Sequence, residues 1–270
     1  MNWATLYAGQ RAMELETEPA AAWPLAAVRS EPRRRGENVA IRLEGVTKAF
    51  GDRTVFQDLS LEVAAGEFLA VVGRSGCGKT TLLRMIAGLE SIGAGTVRID
   101  GDAVAGLRGD VRLLFQEPRL LPWHRVISNV GITRGPDWRA RAQAALDDVG
   151  LGDRGGEWPS VLSGGQRQRV ALARALVGQP RALLMDEPFG ALDALTRVEM
   201  HQLLGRVRGE YGFTGVLITH DVREALALAD RVVVLRDGQV AFEERIVVPL
   251  NLRHASPRLA HLEQRILAEV

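Results

Sequence analysis

The run Gly73-Arg74-Ser75-Gly76-Cys77-Gly78-Lys79-Thr80, with Thr81 behind it, has the glycine spacing that closes a backbone around phosphate oxygens. Glycines at 73, 76 and 78 let the chain turn tightly and aim its N–H groups inward. A helix opening directly after them adds its own positive end. Lys79 would reach the β- and γ-phosphates of a nucleotide as a compact point charge, which the wider guanidinium of Arg does not reproduce. Thr80 would place its hydroxyl on Mg²⁺. The competing reading is a plain glycine-rich turn before a helix, and composition weighs against it. Of 34 basic residues only Lys48 and Lys79 are lysines, so a lysine marks a place where Arg would not serve.

Two further groups carry chemistry. Asp186 and Glu187 follow an apolar run at residues 182–185. An acid at the end of a buried strand beside a phosphate loop is placed to hold Mg²⁺, and the adjacent Glu187 would orient an attacking water or take its proton. An Asp-Glu pair after a strand says little alone; the phosphate loop gives it weight. Leu162-Ser163-Gly164-Gly165-Gln166 is a capping box, with Ser163 as N-cap and Gln166 at the third helical position. Gly164 and Gly165 weaken a helix by roughly 1 kcal/mol each. Helix stability disfavours them, whereas close approach of an anionic ligand to exposed N–H groups would explain them.

These groups need elements to position them. Residues 68–72, 182–185 and 216–218 are continuous apolar runs, the pattern of strands buried on both faces of a parallel sheet. Helical patterns at residues 80–88, 164–177, 192–211 and 223–229 lie between them, giving an α/β class. Asp100-Gly101 and Asp237-Gly238 separate β-rich runs and predict antiparallel hairpins. Residues 122–175 are mostly helical and interrupt the alternation, as an inserted subdomain would. Residues 1–38, with Pro19, Pro24, Pro32 and the run Arg33-Arg34-Arg35, read as an N-terminal extension expected to be mobile. The main domain is expected over 39–245. A short strand-and-helix extension is expected over 246–270, its helix opened by Ser256 and Pro257.

Composition excludes several classes. The chain has 270 residues, 46% of them hydrophobic, enough for a sizeable core. A net charge of +1 gives no electrostatic case for nucleic acid. The one cysteine, Cys77, cannot form an intrachain disulfide and fits a reducing compartment. No apolar run reaches the roughly 18 residues that a membrane span needs. Glu14, Glu16 and Glu18 precede the apolar patch at 23–28, where a secretory signal would be positive.

Taken in order, the motifs resemble those of the ATP-binding subunits of ABC transporters, over about residues 39–245. The resemblance implies a P-loop NTPase (RecA-like) core with an antiparallel β subdomain and an inserted helical subdomain. It puts Phe50 where an aromatic residue, usually Tyr, stacks on adenine. It makes Gln116 the glutamine that contacts Mg²⁺ and senses the transporter interface, and residues 162–166 the signature that completes a partner subunit's ATP site. Ala191-Leu192-Asp193 matches the loop that crosses the dimer interface. His220, within Thr219-His220-Asp221, matches the switch histidine on the γ-phosphate. The implied catalytic set is Glu187, His220, Lys79 and Gln116. The implied nucleotide set is Phe50, Gly73, Arg74, Ser75, Gly76, Cys77, Gly78, Lys79, Thr80, Thr81, Ser163, Gly164, Gly165, Gln166 and Asp193. Thr80, Gln116 and Asp186 are implied for Mg²⁺.

The family further implies a homodimer of ATPase subunits, two transmembrane permease subunits and a periplasmic or lipid-anchored substrate-binding protein, with no nucleic acid. It implies a peripheral place on the cytoplasmic face of the inner membrane. The stretch FQEPRLLPW, from Phe115 to Trp123, resembles the nitrate, sulfonate and taurine importers, in which this region docks the permease. The stretches at 157–176 and 191–200 favour the aliphatic-sulfonate branch. The implied function is therefore ATP hydrolysis that energises uptake of aliphatic sulfonates. Import of nitrate or taurine, or a soluble non-transport ABC ATPase, are the alternatives. Lys48, two residues before Phe50, receives no role from the sequence.

Overall fold

Strands that are apolar at every position must bury both faces, and the two faces here belong to two separate cores. The computed structural model describes residues 38–250, 253 and 256–270. The extension expected over 1–38 therefore lies, apart from Asn38, outside the described residues. In chain order the elements are β1 (Ile41–Phe50), β2 (Arg53–Val63), β3 (Phe68–Val72), α1 (Lys79–Ile86), β4 (Ala94–Ile99), β5 (Asp102–Ala103), β6 (Val111–Leu114), α2 (Val126–Val130), α3 (Trp138–Asp148), α4 (Gly164–Leu176), β7 (Ala182–Asp186), α5 (Ala194–Tyr211), β8 (Thr214–Ile218), α6 (Val222–Leu228), β9 (Arg231–Arg236), β10 (Gln239–Arg245) and α7 (Pro257–Glu269).

One sheet is antiparallel, in the order β2-β1-β4-β5. The other has the order β10-β9-β3-β8-β7-β6 and is parallel except for the β9–β10 hairpin. Side chains of its central strands alternate between cores, as a period of two requires. Phe68, Ala70 and Val72 of β3, Leu183 and Met185 of β7, and Leu217 of β8 face a core shared with the helical insert. Leu69, Val71, Leu184, Val216 and Ile218 face a core shared with α1 and the antiparallel sheet. Both Asp-Gly hairpins form, each with Asp and Gly at positive φ.

The sheet order decides where the site lies. β3, β8, β7 and β6 are neighbours and parallel, so their C-terminal ends share one edge. Gly73 follows β3, His220 lies two residues past β8, Glu187 follows β7 and Gln116 lies two residues past β6. This edge is where open α/β sheets bind ligands.

Three local details differ from expectation. α5 begins at Ala194 rather than residue 192, because Asp193 holds an extended conformation and caps the helix through its side chain. Ser256 does precede Pro257 at the start of α7, but its side chain makes no capping bond. The described part of 246–270 carries a helix and no strand; only the Ile246 N–H continues the pairing, donating to Asp230 O at 2.7 Å. Leu259, Leu262 and Ile266 of α7 pack into the core that also holds the helical insert. Among the described residues no helix is long and apolar enough to cross a membrane.

Candidate active site

Between β3 and α1 the backbone turns through left-handed conformations at Gly76 (φ 82°) and Gly78 (φ 100°). A side chain at Gly78 would strike Val55 and Phe56, and one at Gly73 would strike the carbonyl of Leu235. Glycine is thus required by packing as well as by backbone freedom. Lys79 is buried and turns its ammonium into the curve of the loop, donating to Gly73 O at 2.6 Å and Arg74 O at 2.9 Å. The Arg74 guanidinium points away, donating from Nε to the backbone oxygen of Val270 at 2.6 Å. Arg74 therefore faces the loop with its backbone and α7 with its side chain.

The carboxylates arrive from the neighbouring strand. Thr80 Oγ1 donates to Asp186 Oδ1 at 3.0 Å, joining the start of α1 to the end of β7. Burial raises the Asp186 carboxyl above its ordinary pKa, against the opposing hydrogen bond from Thr80. A carboxylate in that setting gains from a nearby cation. Thr80, Asp186 and the Gln116 amide offer oxygen donors only. Among the described residues no group of three or more His, Cys, Asp or Glu is arranged to hold a metal ion. That donor set suits a hard divalent cation that keeps waters and binds mainly through phosphate.

Glu187 takes a left-handed backbone, φ 45°, which is strained for a residue with a side chain. Its N–H donates to Ile218 O at 2.9 Å, and Glu187 Oε2 lies 3.0 Å from His220 Nδ1. The Gln116 amide and the Glu187 carboxylate both approach Gly190, each within 4 Å of where a Cβ would stand. Lys79, Thr80, Asp186, Glu187, His220 and Gln116 are therefore gathered at one sheet edge.

Ser163, Gly164, Gly165 and Gln166 are arranged separately. The capping box forms in both directions: Gln166 N donates to Ser163 Oγ at 3.2 Å and Ser163 N donates to Gln166 Oε1 at 2.9 Å. Among the described residues no hydrogen bond joins this motif to residues 73–81. The two glycines have different reasons. A Cβ at Gly164 would meet nothing within 4 Å, whereas a Cβ at Gly165 would overlap the Thr196 methyl. Close approach to a ligand is thus an incomplete explanation of Gly165: it also admits α5. Asp193 accepts from Thr196 N at 3.0 Å and Thr196 Oγ1 at 2.7 Å, so the cap of α5 fixes the methyl that meets Gly165.

Several participants were invisible in the sequence. Arg53 donates to Gly76 O at 3.0 Å and ties the β1–β2 turn, with the half-exposed Phe50, to the phosphate loop. Arg197 donates to Leu192 O at 3.1 Å and meets Asp221 at 3.5 Å, linking the 191–193 loop to the residue after His220. Beneath them Thr219 Oγ1 donates to Glu224 Oε2 at 2.8 Å, and burial pushes the Glu224 carboxyl up to about 7. The Arg53–Gly76 and Arg197–Asp221 contacts span 23 and 24 residues, beyond the reach of a local pattern, whereas Thr219 and Glu224 are five residues apart but are paired by no motif read from the sequence.

Comparison with known proteins gives the family. A family model described as ABC transporter matches residues 56–190. The chain is 52% identical over 245 residues to the aliphatic sulfonates import ATP-binding protein SsuB 2 of Pseudomonas aeruginosa (strain UCBPP-PA14), covering 91% of this chain and 89% of that protein. It is 55% identical over 237 residues to the aliphatic sulfonates import ATP-binding protein SsuB of Rhodopseudomonas palustris (strain ATCC BAA-98 / CGA009), covering 86% and 83%. The dimeric post-hydrolysis structure of the ATP-binding cassette MJ0796 bound to ADP and Pi is similar with a TM-score of 0.69 and 33% identity, covering 77% of this chain and 100% of that one. With the family model over residues 56–190 and relatives more than half identical over most of its length, the chain belongs to the ABC transporter family.

Proposed function

We propose that this chain is the ATP-hydrolysing subunit of an ABC importer and energises uptake of aliphatic sulfonates across the inner membrane. The observation that carries the ATPase reading is the pair of contacts at one sheet edge: Glu187 to His220 at 3.0 Å and Thr80 to Asp186 at 3.0 Å. The substrate class rests on the names of the relatives.

In this reading the loop N–H groups and Lys79 bind the phosphates, and Phe50 stacks on adenine. Thr80, Asp186 and Gln116 would hold Mg²⁺, which when bound would neutralise phosphate charge. Glu187 orients the attacking water and takes its proton; His220 fixes the Glu187 carboxylate and reaches the γ-phosphate. Ser163, Gly164, Gly165, Gln166 and Asp193, which do not bond to their own phosphate loop, complete the ATP site of a second copy in a homodimer. Closure and reopening of that dimer move the helical insert over residues 122–175. Trp123, well exposed within the FQEPRLLPW stretch, belongs to the face that docks two permease subunits. A separate periplasmic or lipid-anchored binding protein delivers the substrate, and the subunit sits on the cytoplasmic face. Growth on an alkanesulfonate as sole sulfur source tests the whole reading. Deletion of this chain abolishes growth and the wild-type gene restores it; unchanged growth of the deletion strain refutes it.

A further inference from the structure

Lys48 is one of two lysines in the chain, and the phosphate loop accounts for the other. On β1 it occupies an inward position, only 7% exposed, between irregularities in the pairing with β2 on either side. An inward ammonium is unfavourable unless it is partnered. Lys48 Nζ donates to Glu90 Oε1 at 2.7 Å. It also lies 4.6 Å from the centre of the Phe50 ring, within cation–π range. Phe50 itself remains 48% exposed. One part of its ring is covered by the ammonium, and a large part stays open.

The surroundings tie this ring to the phosphate loop at two points. Arg53, opposite Phe50 across the β1–β2 turn, donates to Gly76 O at 3.0 Å. Glu90 follows α1, the helix that Lys79 opens, and its N–H donates to Arg84 O at 3.2 Å. The ring is thus fixed relative to both ends of the element that binds phosphate. A point charge on a flexible stem can satisfy a carboxylate and a ring at once in this slot; a planar guanidinium has different directional needs.

We propose that Lys48, clamped by Glu90, is a positioning residue that holds Phe50 as a platform for the nucleotide base and so sets the base-dependent part of nucleotide affinity. The inference rests on the reading of Phe50 as the base platform. Held by a cation on one side, the ring is both fixed in orientation and electron-poor, which favours stacking of an electron-rich purine.

The test compares ATP with inorganic tripolyphosphate, which has phosphates and no base, by competition for the full-length protein. Lys48→Met is expected to weaken ATP binding about 5- to 10-fold and to change tripolyphosphate binding less than about 2-fold. Glu90→Gln, a milder change that leaves the ammonium in place, shifts the same ratio in the same direction by less. In a Phe50→Ala background Lys48→Met has no further effect on the ratio. Equal loss of both ligands, or an unchanged ratio in both the Lys48 and Glu90 variants, overturns the proposal. If Phe50→Ala alone leaves the ATP to tripolyphosphate ratio unchanged, the platform reading of Phe50 is what fails.

Discussion

Replacing Glu224 by Gln should alter how the stability of this protein depends on pH. Burial moves the carboxyl from an ordinary 4.5 to about 7, with Asp221 and Glu187 adding to the rise and Thr219 and Arg197 opposing it. Well below the ordinary value the group is protonated in both folded and unfolded chains. Between the two values only the folded chain keeps the proton, so stability falls as pH rises through that window. Well above 7 both states are ionised and the loss is complete. Integrated from about pH 5 to about pH 8, this loss is roughly 2–3 kcal/mol. Glutamine carries no charge at either pH, and its amide oxygen can still accept from Thr219 Oγ1, now 2.8 Å from the carboxylate. Its NH₂ would replace Oε1, which is buried without a partner among the described residues. That change adds an offset, but the offset does not vary with pH. The stability difference between Glu224→Gln and wild type therefore widens by roughly 2–3 kcal/mol in favour of the variant, or about 5–10 °C in Tm for a chain of this size. Denaturant melts of the full chain at the two pH values, followed by far-UV circular dichroism, measure it. A difference that stays constant with pH refutes the reasoning.

Glu187→Gln should keep ATP affinity within a few-fold and lower turnover by at least about 100-fold, read in a steady-state ATPase assay beside a nucleotide-binding titration. Gly165→Ala should destabilise the chain by about 1–3 kcal/mol through overlap with the Thr196 methyl. Thr196→Ser keeps the hydroxyl that bonds Asp193 and removes that methyl, so it should restore the stability of Gly165→Ala in thermal melts. Alkylation of Cys77, whose Sγ lies 4.0 Å from Lys79 Nζ, should inhibit the ATPase, with MgATP slowing the modification; full activity after complete labelling contradicts this placement.

What the sequence made legible was chemistry carried by consecutive residues. The tight glycine turn before α1, the Ser163–Gln166 capping box and the apolar strands are each written within a few positions, and each forms. Gly165 shows where that ends. Its glycine is needed for Thr196, on a helix whose own start is set by the Asp193 cap, and no local pattern joins the two. Lys48 is a sharper case: its carboxylate partner lies 42 residues away, and its ring partner matters only because the β1–β2 turn is tied to Gly76. Arg197 likewise meets Asp221, 24 residues away and just past β8, a pairing that the motifs alone do not encode. Ser256 is the opposite lesson. It has the right type in the right place and makes no capping bond, so the helix it precedes is held by Leu259, Leu262 and Ile266 instead.

The central claim, ATP hydrolysis here coupled to import of aliphatic sulfonates, is tested most directly with the chain assembled with its permease in proteoliposomes. Uptake of a radiolabelled alkanesulfonate, presented with its binding protein, should require ATP on the side of this subunit and should be abolished by Glu187→Gln. Uptake of nitrate or taurine but no alkanesulfonate, or alkanesulfonate uptake that persists without ATP, would contradict the account.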